Sequence, residues 1–248
     1  MVNPAADVEL PPIGNPEKLY LSHQQVQELA VASGRFRTLV LVLSYCGLRF
    51  GEATALRRKN IDLKQARIWV RASATHVARQ GIIESDTKTH EDRKVPIPAS
   101  VVELLRTELP KDPEALAFPG RKGGYLPLGE FRWTFDQADT ALQSAAAKRQ
   151  EEIEETGEAV TPEFPVITPH ELRHTCASLA IKAGANIKVL QNLLGHKTAT
   201  LTLDRYGHLY PDELGVIADA LDDGARAAAA SLRPQPSSEG RPNLQVVP

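Results

Sequence analysis

Short segments rich in arginine, lysine, histidine and tyrosine recur along this 248-residue chain. Cys46-Gly47-Leu48-Arg49-Phe50-Gly51-Glu52 sets an arginine and a glutamate just past an apolar run. Thr87-Lys88-Thr89 precedes Arg93-Lys94-Val95-Pro96-Ile97-Pro98, and Thr168-Pro169-His170-Glu171-Leu172-Arg173-His174 joins two histidines to an arginine. Leu193-Leu194-Gly195-His196 ends on another imidazole, and Thr202-Leu203-Asp204-Arg205-Tyr206-Gly207-His208 carries a phenol.

These residue types suit transfer at a phosphodiester. A tyrosine that attacks phosphorus builds extra negative charge on the phosphate oxygens, so the surroundings must be cationic. Two guanidiniums meet that need with planar forks of donors and a permanent charge. The leaving 5′ oxygen needs a proton, which a lysine or histidine can deliver, and a phenol with pKa about 10 must lose one to become nucleophilic. Arg49, Lys88, His170, Arg173, His196 and Tyr206 supply that set in order. Singly, each has a plainer role as a helix-end group, a solvated turn lysine or a packed ring; their co-occurrence points to chemistry.

The positioning elements are readable from periodicity. Ser22 and Gln25 form a capping box for a helix carrying Val26, Leu29 and Ala30, and Phe36 to Leu48 reads as a buried helix ending near Gly47. Ile68–Arg71, Gly81–Thr87 and Lys94–Ile97 alternate as short strands of a small antiparallel sheet, whose last turn carries Lys88. Helical spacing returns over Val101–Leu109, stopped by Pro110, and through Phe131, Phe135, Ala138 and Leu142, fraying into glutamates before Gly157. Thr168 as N-cap, Pro169 as first helical residue and Glu171 closing the box predict a further helix with His170 and Arg173 on one face. Shorter helices follow over Ile187–Leu194, Leu201–Arg205 and Asp212–Leu232. Residues 1–15 read as a linker remnant, 16–232 as one catalytic domain, and 233–248 as a disordered tail.

A net charge of −2 argues against a uniformly basic nucleic-acid coat. Its distribution is uneven: residues 35 to 94 hold 13 basic side chains against six acidic ones, whereas 151 to 163 hold six glutamates and no base. A basic face balanced elsewhere is compatible with phosphate binding, and equally with a solvated charged surface. The aliphatic run Leu39–Leu43 is too short for a bilayer, and Cys46 and Cys176 lie in apolar stretches without metal-ligand spacing, so a cytoplasmic protein with reduced thiols is expected.

In the quoted segments the chain resembles the tyrosine recombinases, the family of integrases and chromosome-dimer resolvases, from residue 20 to about 230. The resemblance implies a mainly α-helical α+β catalytic domain with a small antiparallel β-sheet. It assigns Arg49 and Arg173 to clamping the phosphate, Glu52 to holding catalytic side chains, and Lys88 to protonating the leaving oxygen. His170 becomes a proton-transfer group, His196 a phosphate ligand, and Tyr206 the nucleophile of a 3′-phosphotyrosyl intermediate. Tyr210 is the fallback nucleophile, and His174 and His208 are supporting or structural. The departures are Arg58, where many relatives carry tryptophan, and the long acidic stretch at 151–163.

The same likeness implies phage or prophage integration and excision, with chromosome-dimer resolution or transposon recombination as alternatives of identical chemistry. Implied partners are double-stranded DNA, a homotetramer on it, accessory DNA-bending and directionality factors, and no membrane; no cofactor or metal is required. The terminal amphipathic helix would dock on a neighbour or on its own chain. A type IB topoisomerase would share the chemistry, and a non-enzymatic DNA-binding module would bind without a covalent adduct. A different class stays open because His170-Glu171-Leu172-Arg173-His174 also satisfies the H-E-x-x-H zinc pair of metalloproteases. Ala177 and Ala180 break its extended form, and no glutamate lies between Glu171 and Glu213 to complete a ligand set.

Overall fold

In a computed structural model, which describes residues 20–77, 79–86, 93–156, 163–210 and 214–231, the first helix begins as its sequence requires. The Ser22 hydroxyl accepts the Gln25 N–H at 3.2 Å and the Gln25 side chain accepts the Ser22 N–H at 2.8 Å, which caps α1 (His23–Ala32). The expected linker at 1–15, the tail at 233–248 and Lys88 lie outside the described residues.

α2 (Arg37–Cys46) is buried from Thr38 through Ser44, as an apolar run without period should be, and packs against α1. Its carboxyl end is Gly47, in the left-handed region at φ +62°. A Cβ there would stand 3.0 Å from Cys176 Sγ on α6 (Glu171–Lys182) and 3.1 Å from Leu194 on α7 (Ile187–Leu194). Glycine therefore serves both the cap and the close approach of three helix segments. α3 (Phe50–Thr54) follows at once, with Arg49 at its N-cap.

The β region divides in two. β1 (Ile61–Asp62), β2 (Arg67–Val70) and β5 (Arg93–Pro96) form an antiparallel sheet in the order β1-β2-β5, whereas β3 (Ala72–Val77) and β4 (Gly81–Asp86) form a separate hairpin. Three of these strands coincide with the expected runs; β1 and β3 are additional, since Ile61–Asp62 is too short for alternation and Ala72–Val77 is too polar to show it. Register opposes Arg93 to Val70 at the sheet's edge nearest α7.

α4 (Ala99–Glu108) packs on α2, and α5 (Leu128–Thr156) packs on α1. Instead of fraying, α5 continues through Glu151 and Glu152 to Thr156, consistent with the good helix propensity of alanine and glutamate along its last turns. The rest of the acidic stretch, 157–162, is outside the described residues. On α5, Phe131 is fully buried with ring centroids 5.3 Å from Phe36, 5.3 Å from Phe50 and 5.6 Å from Phe135. Phe50 directly follows Arg49, so this aromatic cluster fixes the base of α3.

α6 starts two residues later than its sequence signals suggest. The Thr168 carbonyl accepts the Glu171 N–H at 2.9 Å while the Glu171 carboxylate accepts the Thr168 N–H, so residues 168–171 form a turn ahead of the helix. His170 takes the N-cap position instead of Thr168, and Pro169 lies outside the helix. α7 ends in Gly195 at φ +63°, and α8 (Ala199–Tyr206) packs on α7. The chain divides into two units at Leu209; in the second, residues Leu214–Ser231 form α9. Among the described residues no helix is long and apolar enough to cross a membrane.

Two outcomes follow from this packing. Phe131→Ala should cost about 3–5 kcal/mol of stability, seen as a lowered urea midpoint with an unchanged slope. Asp139, 5% exposed on α5, is pushed up by burial to about 6. A carboxyl raised in the folded state adds stability that is complete below its ordinary pKa and lost as pH rises through about 6. Asp139→Asn should therefore lose ground to the unaltered protein as pH falls from about 7 to about 4 in urea titrations.

Candidate active site

The site is assembled where the carboxyl ends of α2 and α7 meet the amino ends of α3 and α6. Glu52, in the first turn of α3 and 4% exposed, is its centre. One oxygen accepts the Arg49 backbone N–H at 2.8 Å, and the other accepts Arg49 Nη1 at 2.9 Å. Arg93 grips the same carboxylate with both terminal nitrogens, at 3.1 and 2.9 Å. Burial alone would raise the Glu52 pKa, but Arg93 and then Arg49 outweigh it and the net shift is downward. The Arg49 side chain is 47% exposed, so of the two partners it is the one facing solvent, against 13% for Arg93.

Arg93 needs room, and Gly195 provides it. A Cβ at Gly195 would fall 2.3 Å from Arg93 Nη1 and 2.8 Å from its Cδ, so the Leu-Gly-His segment is shaped by an arginine lying across the glycine.

Arg173 rises from the first turn of α6 and is 4% exposed. Its Nη1 donates to the Gly47 carbonyl and its Nη2 to the Leu194 carbonyl. Both acceptors belong to helix ends, whose last carbonyls lack intrahelical partners and carry the negative end of the helix dipole. Burial, followed by the nearby Arg49, brings the Arg173 pKa down to about 10, so it remains a cation at neutral pH.

The imidazoles and the phenol complete the cluster. Tyr206, the last residue of α8, is only 1% exposed, and its hydroxyl lies 2.7 Å from His174 Nδ1. His196 lies parallel to the Tyr206 ring, within 5° and with centroids 6.3 Å apart, and its Nδ1 is 3.0 Å from the Thr202 hydroxyl. His170 meets His174 edge-on at 5.0 Å. Desolvation first and Arg173 second hold His196 down at about 4 and lower His170, so the surrounding cations favour neutral imidazoles at neutral pH. Burial pushes Tyr206 up to about 12, against the pull of Arg173 and Arg205.

Five expected positions, Arg49, His170, Arg173, His196 and Tyr206, thus act on one another electrostatically around Glu52. Lys88 lies outside the described residues, between β4 and β5 in sequence, and Tyr210 opens the second unit. His208 is apart from the histidine group, 3.2 Å from the Tyr20 hydroxyl. Among the described residues no three His, Cys, Asp or Glu side chains gather as a metal site. His174 was expected to be supporting or structural, and Arg93 and Arg205 are assigned no role by their sequence: Arg93 looks like any strand-entry arginine, and its bidentate grip is legible only once Glu52 is beside it. Cys46 and Cys176 are both buried free thiols, and burial raises both of them.

The comparisons agree with this architecture. The chain is 29% identical over 188 residues to the ICEBs1 integrase of Bacillus subtilis, covering 76% of this chain and 49% of that protein. It is 29% identical over 189 residues to the integrase of Mycobacterium phage D29, covering 71% and 45%. The chain spans about half the length of these curated relatives. The Tn1549 transposon integrase, solved in complex with transposon right end DNA, shares the fold at a TM-score of 0.59 and 23% identity, covering 92% of this chain and 68% of that one. The mainly helical catalytic-domain fold with a small antiparallel sheet is the one these tyrosine recombinase structures have. With the Phage integrase family model matching residues 20–213 in addition, the chain belongs to the phage integrase family, the tyrosine recombinases.

Proposed function

We propose that this chain is the catalytic part of a site-specific DNA recombinase that integrates or excises a mobile or phage genome. Relatives named integrases, from Bacillus subtilis and from a Mycobacterium phage, support that use. The observation that carries the reading is that Arg49, His170, His196 and Tyr206 all lie within the field of the buried Arg173.

In this reading Arg49 and Arg173 bracket the scissile phosphate of double-stranded DNA and take up the charge that develops on its oxygens. Arg49 is solvent-facing and meets the phosphate first, whereas Arg173 is pre-set by the two helix-end carbonyls. Glu52 fixes Arg49, and His170 and His196 give hydrogen bonds or protons to the phosphate as neutral imidazoles. Tyr206 Oη bonds to phosphorus, the bond to the 5′ oxygen breaks, and Lys88 protonates that oxygen. The 3′-phosphotyrosyl link conserves the bond energy, and attack by a 5′ hydroxyl from a partner duplex rejoins the strands. No step calls on a metal or cofactor. Exchange between two duplexes needs four such sites, hence a homotetramer on DNA, with DNA-bending and directionality factors as further partners.

Tyr206→Phe should abolish a covalent adduct with a nicked suicide substrate in EDTA while leaving DNA retention on gels intact; an adduct formed by the Phe variant would reject Tyr206 as nucleophile. The two clamping arginines should behave differently when shortened. Both Arg49→Lys and Arg173→Lys should cut adduct formation by about 10²-fold or more. Only Arg173→Lys, which strips a buried carbonyl of its donor, should also lower stability by about 1–3 kcal/mol in urea titrations.

A further inference from the structure

Attack on phosphorus requires the phenol of Tyr206 to lose its proton. Tyr206 is buried, with a pKa of about 12, so at neutral pH almost none of it is ionised and a base must take its proton as the bond to phosphorus forms. The other groups that act most strongly on the phenol are Arg173, Arg205, Tyr20 and Cys176, and none of these is a carboxylate. The acceptor must come from the imidazoles.

Their geometry separates them. His196 flanks the Tyr206 ring in parallel and has its Nδ1 engaged with Thr202, and no hydrogen bond joins it to the phenol oxygen among the described contacts. His170 reaches the edge of His174. His174 has its Nδ1 2.7 Å from the hydroxyl, at the separation of a strong O–H···N bond. Residues 170, 173 and 174 lie three and four positions apart, so the start of α6 presents His170, Arg173 and His174 together. The spacing that imitates a zinc pair thereby sets one imidazole on the tyrosine.

Resting on the recombinase reading, we propose that His174 is a catalytic residue, the general base that accepts the Tyr206 proton at Nδ1 during strand cleavage. With the imidazole neutral and its own proton on Nε2, Tyr206 Oη–H donates to Nδ1. As Oη bonds to phosphorus, that proton passes to Nδ1, the P–O5′ bond breaks, and the 5′ oxygen leaves with a proton from the acid assigned to Lys88. On rejoining, imidazolium at His174 returns its proton to Oη as the phosphotyrosyl bond opens, so protons balance over the cycle. Arg173, Arg205 and Arg49 lower the pKa of the neighbouring His170, and the arriving phosphate brings negative charge that offsets these cations.

The experiment measures covalent adduct formation on a nicked suicide duplex in EDTA for the unaltered protein, His174→Ala and His174→Gln, alongside DNA retention and thermal melting. Glutamine accepts a hydrogen bond but cannot carry the proton away, and it serves as the test where alanine fails to fold. Both variants should retain DNA yet form adduct about 10²- to 10⁴-fold more slowly, and should lack the rise of rate with pH that accompanies imidazole deprotonation. A duplex whose 5′ bridging oxygen is replaced by sulfur needs no acid, so it should rescue Lys88→Ala and leave His174→Gln slow. Unaltered rates in His174→Gln, or its rescue by the sulfur substrate, would overturn the assignment. No adduct from the unaltered protein would overturn the transesterification reading itself and this inference with it.

Discussion

The structure depends on one buried carboxylate. Glu52 sits in the first turn of α3, nearly sealed from solvent, and two guanidiniums close on it while a third, Arg173, lies within its field. Desolvating a carboxylate is costly, and here charge-assisted bonds from Arg49 and Arg93 repay it. Without Glu52, Arg49 and Arg93 would repel each other and lose the acceptor that fixes their directions. Because Arg49 is held from the same helix and Arg93 from a strand, the carboxylate also ties the sheet to the helical body.

Much of this is legible in the sequence because the segments of Arg49, Arg173 and His196 lie beside strong local signals. Gly47 and Gly195 mark helix ends, the Ser22 box marks a start, and the apolar run of α2 marks the core. Failures fall where tertiary contacts override local chemistry. The start of α6 moved because Glu171 turned back on Thr168 in a tight turn, and β3 was missed because its pairing with β4 does not depend on an alternating apolar face. The Arg93 grip was invisible because a bidentate contact between residues 41 positions apart leaves no mark on either one.

The environment of the imidazoles and the phenol explains why so many ionisable groups can share a small volume. Neutral His196 and un-ionised Tyr206 add no charge to a region already crowded with guanidiniums. The tyrosine is almost without solvent contact, so in the proposed mechanism a bound duplex must bring phosphate to a shielded hydroxyl.

Arg173 is both a scaffold tie and, in the proposed mechanism, an electrostatic catalyst, since its fork joins the ends of α2 and α7. Functional residues are commonly frustrated, and replacing them often makes a protein sturdier at the expense of activity. Here the two properties rise and fall together at this residue. A lineage drifting toward a catalytically dead DNA-binding descendant would retain the arginine long after losing the tyrosine, and its presence in a distant homologue would report ancestry of the fold more faithfully than survival of the chemistry.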